Sequence, residues 1–100
     1  MRFSDEVGTY ELDSLPGCAQ ICVSHNAFVF PVMRGQKKAE DWHKRRLAEI
    51  KRLGYDRVIC TVRINNLAQI KILERNGWSK MHEFTSSYSG NVVQLYIRIL

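Results

Sequence analysis

A mixed, mostly antiparallel β-sheet carrying two helices, of α/β or α+β class, is predicted by three features of the sequence. Apolar runs rich in β-branched and aromatic residues alternate with two stretches of helical periodicity. Each helical stretch stops at a glycine, Gly54 or Gly77. The last two apolar runs follow one another with only a polar loop between them, as antiparallel partners do. With 100 residues, 45% hydrophobic and 25% charged, and no repeat or low-complexity tract, the chain is expected to form one domain over residues 1–100.

Residues 7–12 read as a strand, and Asp13-Ser14-Leu15-Pro16-Gly17 as the turn after it, Pro and Gly supplying the dihedrals. Residues 18–32 are apolar but interrupted by Ser24-His25-Asn26, which fits either one long strand with a bulge or two shorter strands. Arg34-Gly35 ends the run. Over 39–53, Ala39, Trp42, Leu47, Ile50 and Leu53 recur near helical spacing with the basic residues mostly on the other side. Residues 57–64 read as a buried, central strand, with Val58, Cys60, Val62 and Ile64 on one side and Ile59 and Thr61 on the other. Asn65 or Asn66 caps a second helix, whose Leu67, Ile70 and Leu73 share a face before Asn76-Gly77. Residues 78–85 and 92–100 are then paired strands flanking Ser89-Gly90-Asn91. A strand, helix, strand unit requires a right-handed crossover, so the first helix should cover one face of the sheet.

No apolar stretch approaches the ~20 residues of a bilayer span, and Met1-Arg2-Phe3-Ser4-Asp5-Glu6 lacks the order of a signal peptide, so a cytoplasmic location is expected. Cys18, Cys22 and Cys60 sit in apolar runs and are expected to be reduced core thiols; no metal site is expected. The net charge is +5, and eight of the fifteen Lys and Arg residues fall between Arg34 and Arg52. Such a stripe is either a solvated helix face or a surface that meets phosphates. Nucleic acid is the less favoured partner, because only Trp42 is aromatic within the stripe and its spacing assigns it to the core.

Val29-Phe30-Pro31-Val32-Met33-Arg34-Gly35-Gln36-Lys37-Lys38-Ala39 resembles the acetyl-CoA signature of the GCN5-related N-acetyltransferase (GNAT) family, a strand ending in V-x-P and then R/Q-x-x-G-x-G/A opening a helix. Arg34, Gly35 and Ala39 match it, whereas Lys37 stands where the pattern has glycine. The physical basis is an anion at a helix start, facing unpaired N–H groups and the positive end of the helix dipole. Asn66-Leu67-Ala68-Gln69-Ile70-Lys71-Ile72-Leu73-Glu74-Arg75-Asn76-Gly77-Trp78 is similar to the family's N-x-x-A-I-x-L-Y-E-K-L-G-F, at equal length. The two halves cover roughly positions 27–78, and short phage-borne members are the nearest in appearance, with the N-terminal strand and two helices of the family shortened.

The resemblance implies acetyl-CoA as cofactor, held by Phe28, Val29, Arg34, Gly35, Gln36, Lys37, Lys38, Ala39 and Asn66, with N–H groups near Val29 polarising the acetyl carbonyl. It implies acetyl transfer to an amine, of a protein lysine or N-terminus or of a small molecule. The tyrosine that many relatives use as acid corresponds to Leu73, and a glutamate used as base in some corresponds to Thr61. His25, which interrupts an apolar strand, is the local candidate base; His43 and His82 read as helix-face and strand-face residues. The alternative is an inactive GNAT scaffold acting as a binding protein, for instance a phage factor that blocks or decorates another protein. A homodimer could supply the shortened wall, with residues 92–100 as the expected pairing edge. The transferase reading requires the strand before Arg34 to part from the strand 57–64.

Overall fold

The β-branched and aromatic runs form strands and the two periodic stretches form helices. In a computed structural model, which describes residues 1–35 and 37–100, the elements are β1 (Arg2–Ser4), β2 (Gly8–Leu15), β3 (Cys18–Val29), a 3-10 turn (Pro31–Met33), α1 (Ala39–Arg52), β4 (Arg57–Arg63), α2 (Leu67–Arg75), β5 (Ser79–Thr85) and β6 (Val92–Ile99). The sheet runs in the order β1-β2-β3-β4-β6-β5. Every neighbouring pair is antiparallel except β3 and β4, which are parallel because α1 carries the chain back across the sheet between them. The result is the mixed, mostly antiparallel sheet with two helices that the sequence predicts.

Three features differ from expectation, and one of two open alternatives is decided. β1 is an additional strand, too short to show a period, that pairs Phe3 with Tyr10. β2 continues through Asp13 and Ser14, leaving Pro16-Gly17 as the turn, with Gly17 at φ 81°. β3 is the single bulged strand, not two: Asn26 takes φ 53° where the pairing with β2 slips between Thr9 and Glu11. It stops at Val29, and Pro31 begins the 3-10 turn because its fixed φ suits a helical first position. The expected pairing edge at 92–100 is also corrected, since β6 lies between β4 and β5 and the sheet edges are β1 and β5.

Both helices pack on one face of the sheet. Tyr10, Leu12, Cys22, Val58, Val62 and Tyr96 point toward them and meet Trp42, Ile50, Leu73 and Trp78 in one buried cluster. In α1, Glu40 and Asp41 stand in the first turn and Lys51 and Arg52 in the last, complementing the helix dipole. Arg75 of α2 donates to Glu40 of α1 at 2.6 Å, which ties the helices together. Leu73 is sealed in the core, Ile70 is half-buried and Leu67 is exposed, so the apolar face of α2 tapers toward solvent at its start. Of the α1 stripe, Leu47 is half-buried and Leu53 exposed; Arg46 occupies the buried face instead. The alternate residues of the central strands, including Ile21, Val23, Ile59, Leu95 and Ile97, point to the other face, which no helix among the described residues covers. The three cysteines are free thiols; burial raises Cys22 to about 11 and Cys60 to about 12. Among the described residues no helix is long and apolar enough to cross a membrane.

Candidate functional site

Where β3 and β4 meet, they pair only through Ile21 with Arg57, Cys22 with Val58 and Val23 with Ile59. Beyond Val23 they part. β4 continues to Arg63 against β6, while β3 continues to Val29 against β2. Parallel strands that separate leave backbone donors and acceptors facing a gap. At its far end the direction of those groups can be worked out. Phe30 N–H donates to Val7 C=O at 2.9 Å, and Gly8 is opposite Val29. Phe30 and Val7 are therefore the hydrogen-bonded pair, and Val29 turns its N–H and C=O away from β2, toward the gap. Arg34 holds this end in place, donating from Nε to Val29 C=O at 2.9 Å and lying 5.0 Å over the Phe28 ring.

The gap opens into a crevice of about 1050 Å³ bounded by β3, the turn into α1, α1 itself, β4 and the start of α2. Behind the Phe28 wall β2 approaches β3 closely at Gly8, where an added Cβ would lie 2.0 Å from Phe28 C=O. Only a residue without a side chain lets β2 approach β3 so closely. Asp5 fixes the loop before it by accepting from the amides of Val7 (2.9 Å) and Gly8 (3.1 Å) and from Trp42 Nε1 (3.1 Å). Its partial burial opposes ionisation, but these three donors together hold its carboxyl below the usual range.

At the mouth, Gly35 (φ 76°) and Lys37 (φ 57°) both adopt left-handed backbone. Lys37 thus occupies a conformation that glycine adopts without strain. Among the described residues the amides of Gly35, Lys37 and Lys38 have no partner, and no side chain caps α1. Glu40 is neutralised by Arg75, whose hydrogen bonds hold its carboxyl below the usual range. The start of α1 is therefore a cluster of open donors beside Arg34, Lys37 and Lys38, chemistry suited to an anion such as a pyrophosphate.

No protein-family model matches the chain, and no curated protein matches it in sequence. Solved structures do match. The NatC complex bound to Gag peptide and CoA superposes with a TM-score of 0.79 at 16% identity, over 94% of this chain and 61% of that one. A ribosomal-protein-S18-alanine N-acetyltransferase from Escherichia coli gives 0.78 at 12% identity, over 99% and 68%. The yncA protein of Salmonella typhimurium, a putative acetyltransferase solved with its cofactor acetyl-CoA, gives 0.79 at 15%, over 94% and 58%. The fold is that of the GCN5-related N-acetyltransferases. This chain spans 58% to 68% of the length of those three solved chains.

Within this GNAT fold, His25, Phe28, Val29, Arg34, Gly35, Lys37, Lys38, Ala39 and Asn66 all line the one crevice, while Gln36 lies outside the described residues. Of the two asparagines, Asn66 is the cap: its Oδ1 accepts from the Gln69 amide at 3.3 Å. His25 faces two carboxylates, with Nε2 2.7 Å from Asp13 Oδ2 and Nδ1 3.8 Å from Glu11 Oε2. The Met1 ammonium and His25 hold the Asp13 carboxyl below the usual range, so the carboxylate is the acceptor facing His25 Nε2. Leu73 is fully buried and Thr61 is exposed on the crevice wall. The basic stripe is not continuous: Arg46 is buried, Arg45 pairs with Glu6 at 3.6 Å and Arg52 with Glu49 at 2.5 Å.

Two crevice residues escaped the sequence reading. His43 and Arg46 project from α1 into the crevice and are only 2% and 5% exposed, so the helix face that carries His43 is the buried one. Burial first, and the Arg46 charge second, depress His43 to about 4. The available signal was spacing: Arg46 stands four residues after Trp42 and four before Ile50, on the buried stripe.

Proposed function

We propose that the chain is an acetyl-CoA-dependent N-acetyltransferase acting on an amine. The observation that carries this reading is the parting of β3 from β4 after three paired positions, directly above an uncapped helix start. Acetyl-CoA, when bound, supplies an acetyl thioester open to attack by an amine. The residues present fit its pyrophosphate: unpartnered amides at Gly35, Lys37 and Lys38, with Arg34, Lys37 and Lys38 as cations. Ala39, small and at the first turn of α1, leaves room for close approach. The exposed Phe28 and the inward N–H of Val29 form the opposite wall, and that N–H is the donor for a carbonyl acquiring negative charge. Asn66 keeps its Nδ2 donors free for an acceptor on the same molecule, since only its Oδ1 is used in capping.

Proton removal from the amine falls to His25. Asp13 orients the ring through Nε2–H, and Nδ1 takes the proton directly or through water. Glu11 and Asp13 also give this side of the sheet the negative charge that attracts an ammonium. The test is thermal denaturation with acetyl-CoA, followed by acetyl transfer to a panel of peptide N-termini, peptide lysines and polyamines. Binding to the native state alone must raise the melting temperature. Absence of any rise at millimolar acetyl-CoA sinks the proposal.

A second reading, a GNAT scaffold that binds another protein without catalysis, is favoured by Leu73 and Thr61 at the positions where relatives are expected to carry an acid and a base. Under it, acetyl-CoA binds or not, no amine in the panel is acetylated, and His25→Ala leaves partner binding unchanged.

A further inference from the structure

The pair His43 and Arg46 presents a hydrogen-bonding contradiction that points to a ligand. Trp78 Nε1 lies 2.9 Å from His43 Nε2. An indole nitrogen can only donate, so Nε2 is the acceptor and the proton of the neutral ring resides on Nδ1. Yet Nδ1 lies 3.0 Å from Arg46 Nη2, and a guanidinium also only donates. Two donors therefore face each other in a site 2% and 5% exposed. Among the described residues no carboxylate pairs with Arg46, which lies over the faces of Tyr10 (5.5 Å) and Trp42 (5.4 Å). Among the described residues Arg46 Nε and Nη1 have no hydrogen-bond partner, and no side-chain nitrogen or oxygen is both sealed from solvent and unpaired, so both atoms open onto the crevice that Arg46 lines. A buried cation without a counter-charge is costly, whereas one anionic acceptor on the crevice side, within reach of both Nδ1–H and the guanidinium, satisfies both donors and the charge.

We propose that His43 Nδ1–H and the Arg46 guanidinium together bind a carboxylate carried by the molecule that occupies the crevice. A carboxylate matches the planar fork of arginine and brings one negative charge to one unbalanced positive charge; a phosphate dianion would overcompensate it. This rests on the transferase reading for the identity of the carrier, which is either the acyl group of a dicarboxylic acyl-CoA or the amine acceptor. Substrates with a terminal carboxylate are thereby selected over neutral ones.

The experiment measures dissociation constants of acetyl-CoA, malonyl-CoA and succinyl-CoA by calorimetry for the wild type, Arg46→Met and Arg46→Lys, and melting temperatures with sodium acetate against sodium chloride at matched ionic strength. If the acyl group carries the carboxylate, malonyl-CoA or succinyl-CoA binds the wild type at least tenfold more tightly than acetyl-CoA, and Arg46→Met removes the preference. If the acceptor carries it, the three thioesters bind alike, and acetate with coenzyme A present raises the melting temperature of the wild type but not of Arg46→Met. Arg46→Lys, which keeps the charge without the fork, falls between them. Equal thioester affinities with no acetate effect overturn the proposal, as does an Arg46→Met variant that keeps the preference. Failure of every thioester and of coenzyme A to bind sinks the transferase reading instead, while acetate alone still reports on the pair. Nitrogen-15 spectra of His43 give a check independent of ligand: the Nδ1–H tautomer is required, and the Nε2–H tautomer overturns the donor argument.

Discussion

Buried His43 makes stability fall on mild acidification, and the size of the fall can be worked out. In the unfolded chain the ring takes up a proton near 6.5; in the folded chain burial and the Arg46 charge displace this to about 4. Above 6.5 the ring is neutral in both states and imposes no penalty. As the pH falls from 6.5 toward 4 the unfolded chain binds the proton and the folded chain does not, so the equilibrium moves toward unfolding. A displacement of this size removes about 2 kcal/mol between pH 7 and pH 5, and about 3 kcal/mol once the pH is below both values. For a domain of this length, a loss of about 2 kcal/mol lowers the melting temperature by on the order of 10 °C. The assay is urea unfolding at intervals from pH 7.5 to 4.5 on the wild type and on His43→Gln, whose amide oxygen still accepts from Trp78 but does not titrate. Subtracting the two curves removes the contribution of Asp5, Asp13, Glu40 and Glu49, whose carboxyls are held low and whose stabilisation is lost at more acidic pH. Parallel curves for the two proteins, or a His43 resonance titrating near 6.5, refute the reasoning.

Other substitutions test other parts of the account. Lys37→Gly relieves left-handed backbone at φ 57° and should stabilise the fold by about 1 kcal/mol in urea titration, without loss of acetyl-CoA affinity if the amide and not the side chain is the main contact. Gly8→Ala forces a methyl carbon to within 2.0 Å of Phe28 C=O, so β2 and the crevice wall must move; a loss of about 1–3 kcal/mol and weakened acetyl-CoA binding are expected together. Asn66→Ala loses the α2 cap and about 1 kcal/mol, whereas Asn66→Asp keeps the cap but removes the amide donors, separating stability from acetyl-CoA binding in parallel melts and calorimetry. His25→Ala should leave acetyl-CoA affinity intact while slowing acetyl transfer at neutral pH, read as a fall in kcat with little change in the cofactor KM.

Much of this architecture was legible because its determinants are local. Helix limits follow from Gly54 and Gly77, and the order of elements from changes of period, so the crossover between β3 and β4 could be foreseen. The crevice walls were legible through the Arg34–Ala39 and Asn66–Trp78 patterns, which specify backbone shape more than side-chain identity. Lys37 stands where the pattern has glycine and adopts φ 57°, a conformation open to glycine. β1 was not legible, because a three-residue edge strand has no period and is held by long-range pairing to Tyr10. The position of β6 inside the sheet was hidden for the same reason, since strand order is set by which hairpin folds back and not by sequence order. Arg46 was counted with the basic stripe and the burial of His43 was not foreseen, because polar residues on a helix are ordinarily solvated and burial of a cation against Tyr10 and Trp42 is a tertiary effect.

The proposed activity requires the gap between β3 and β4 to be a coenzyme A site. Its most direct measurement is an amide chemical-shift map during titration with coenzyme A. Val29, Gly35, Lys38 and Asn66 should shift together with one dissociation constant, while Ser86, Ser89 and Asn91 in the loop between β5 and β6 stay in place. Uniformly small changes, or shifts confined to the open face at Ile59, Leu95 and Ile97, would contradict it.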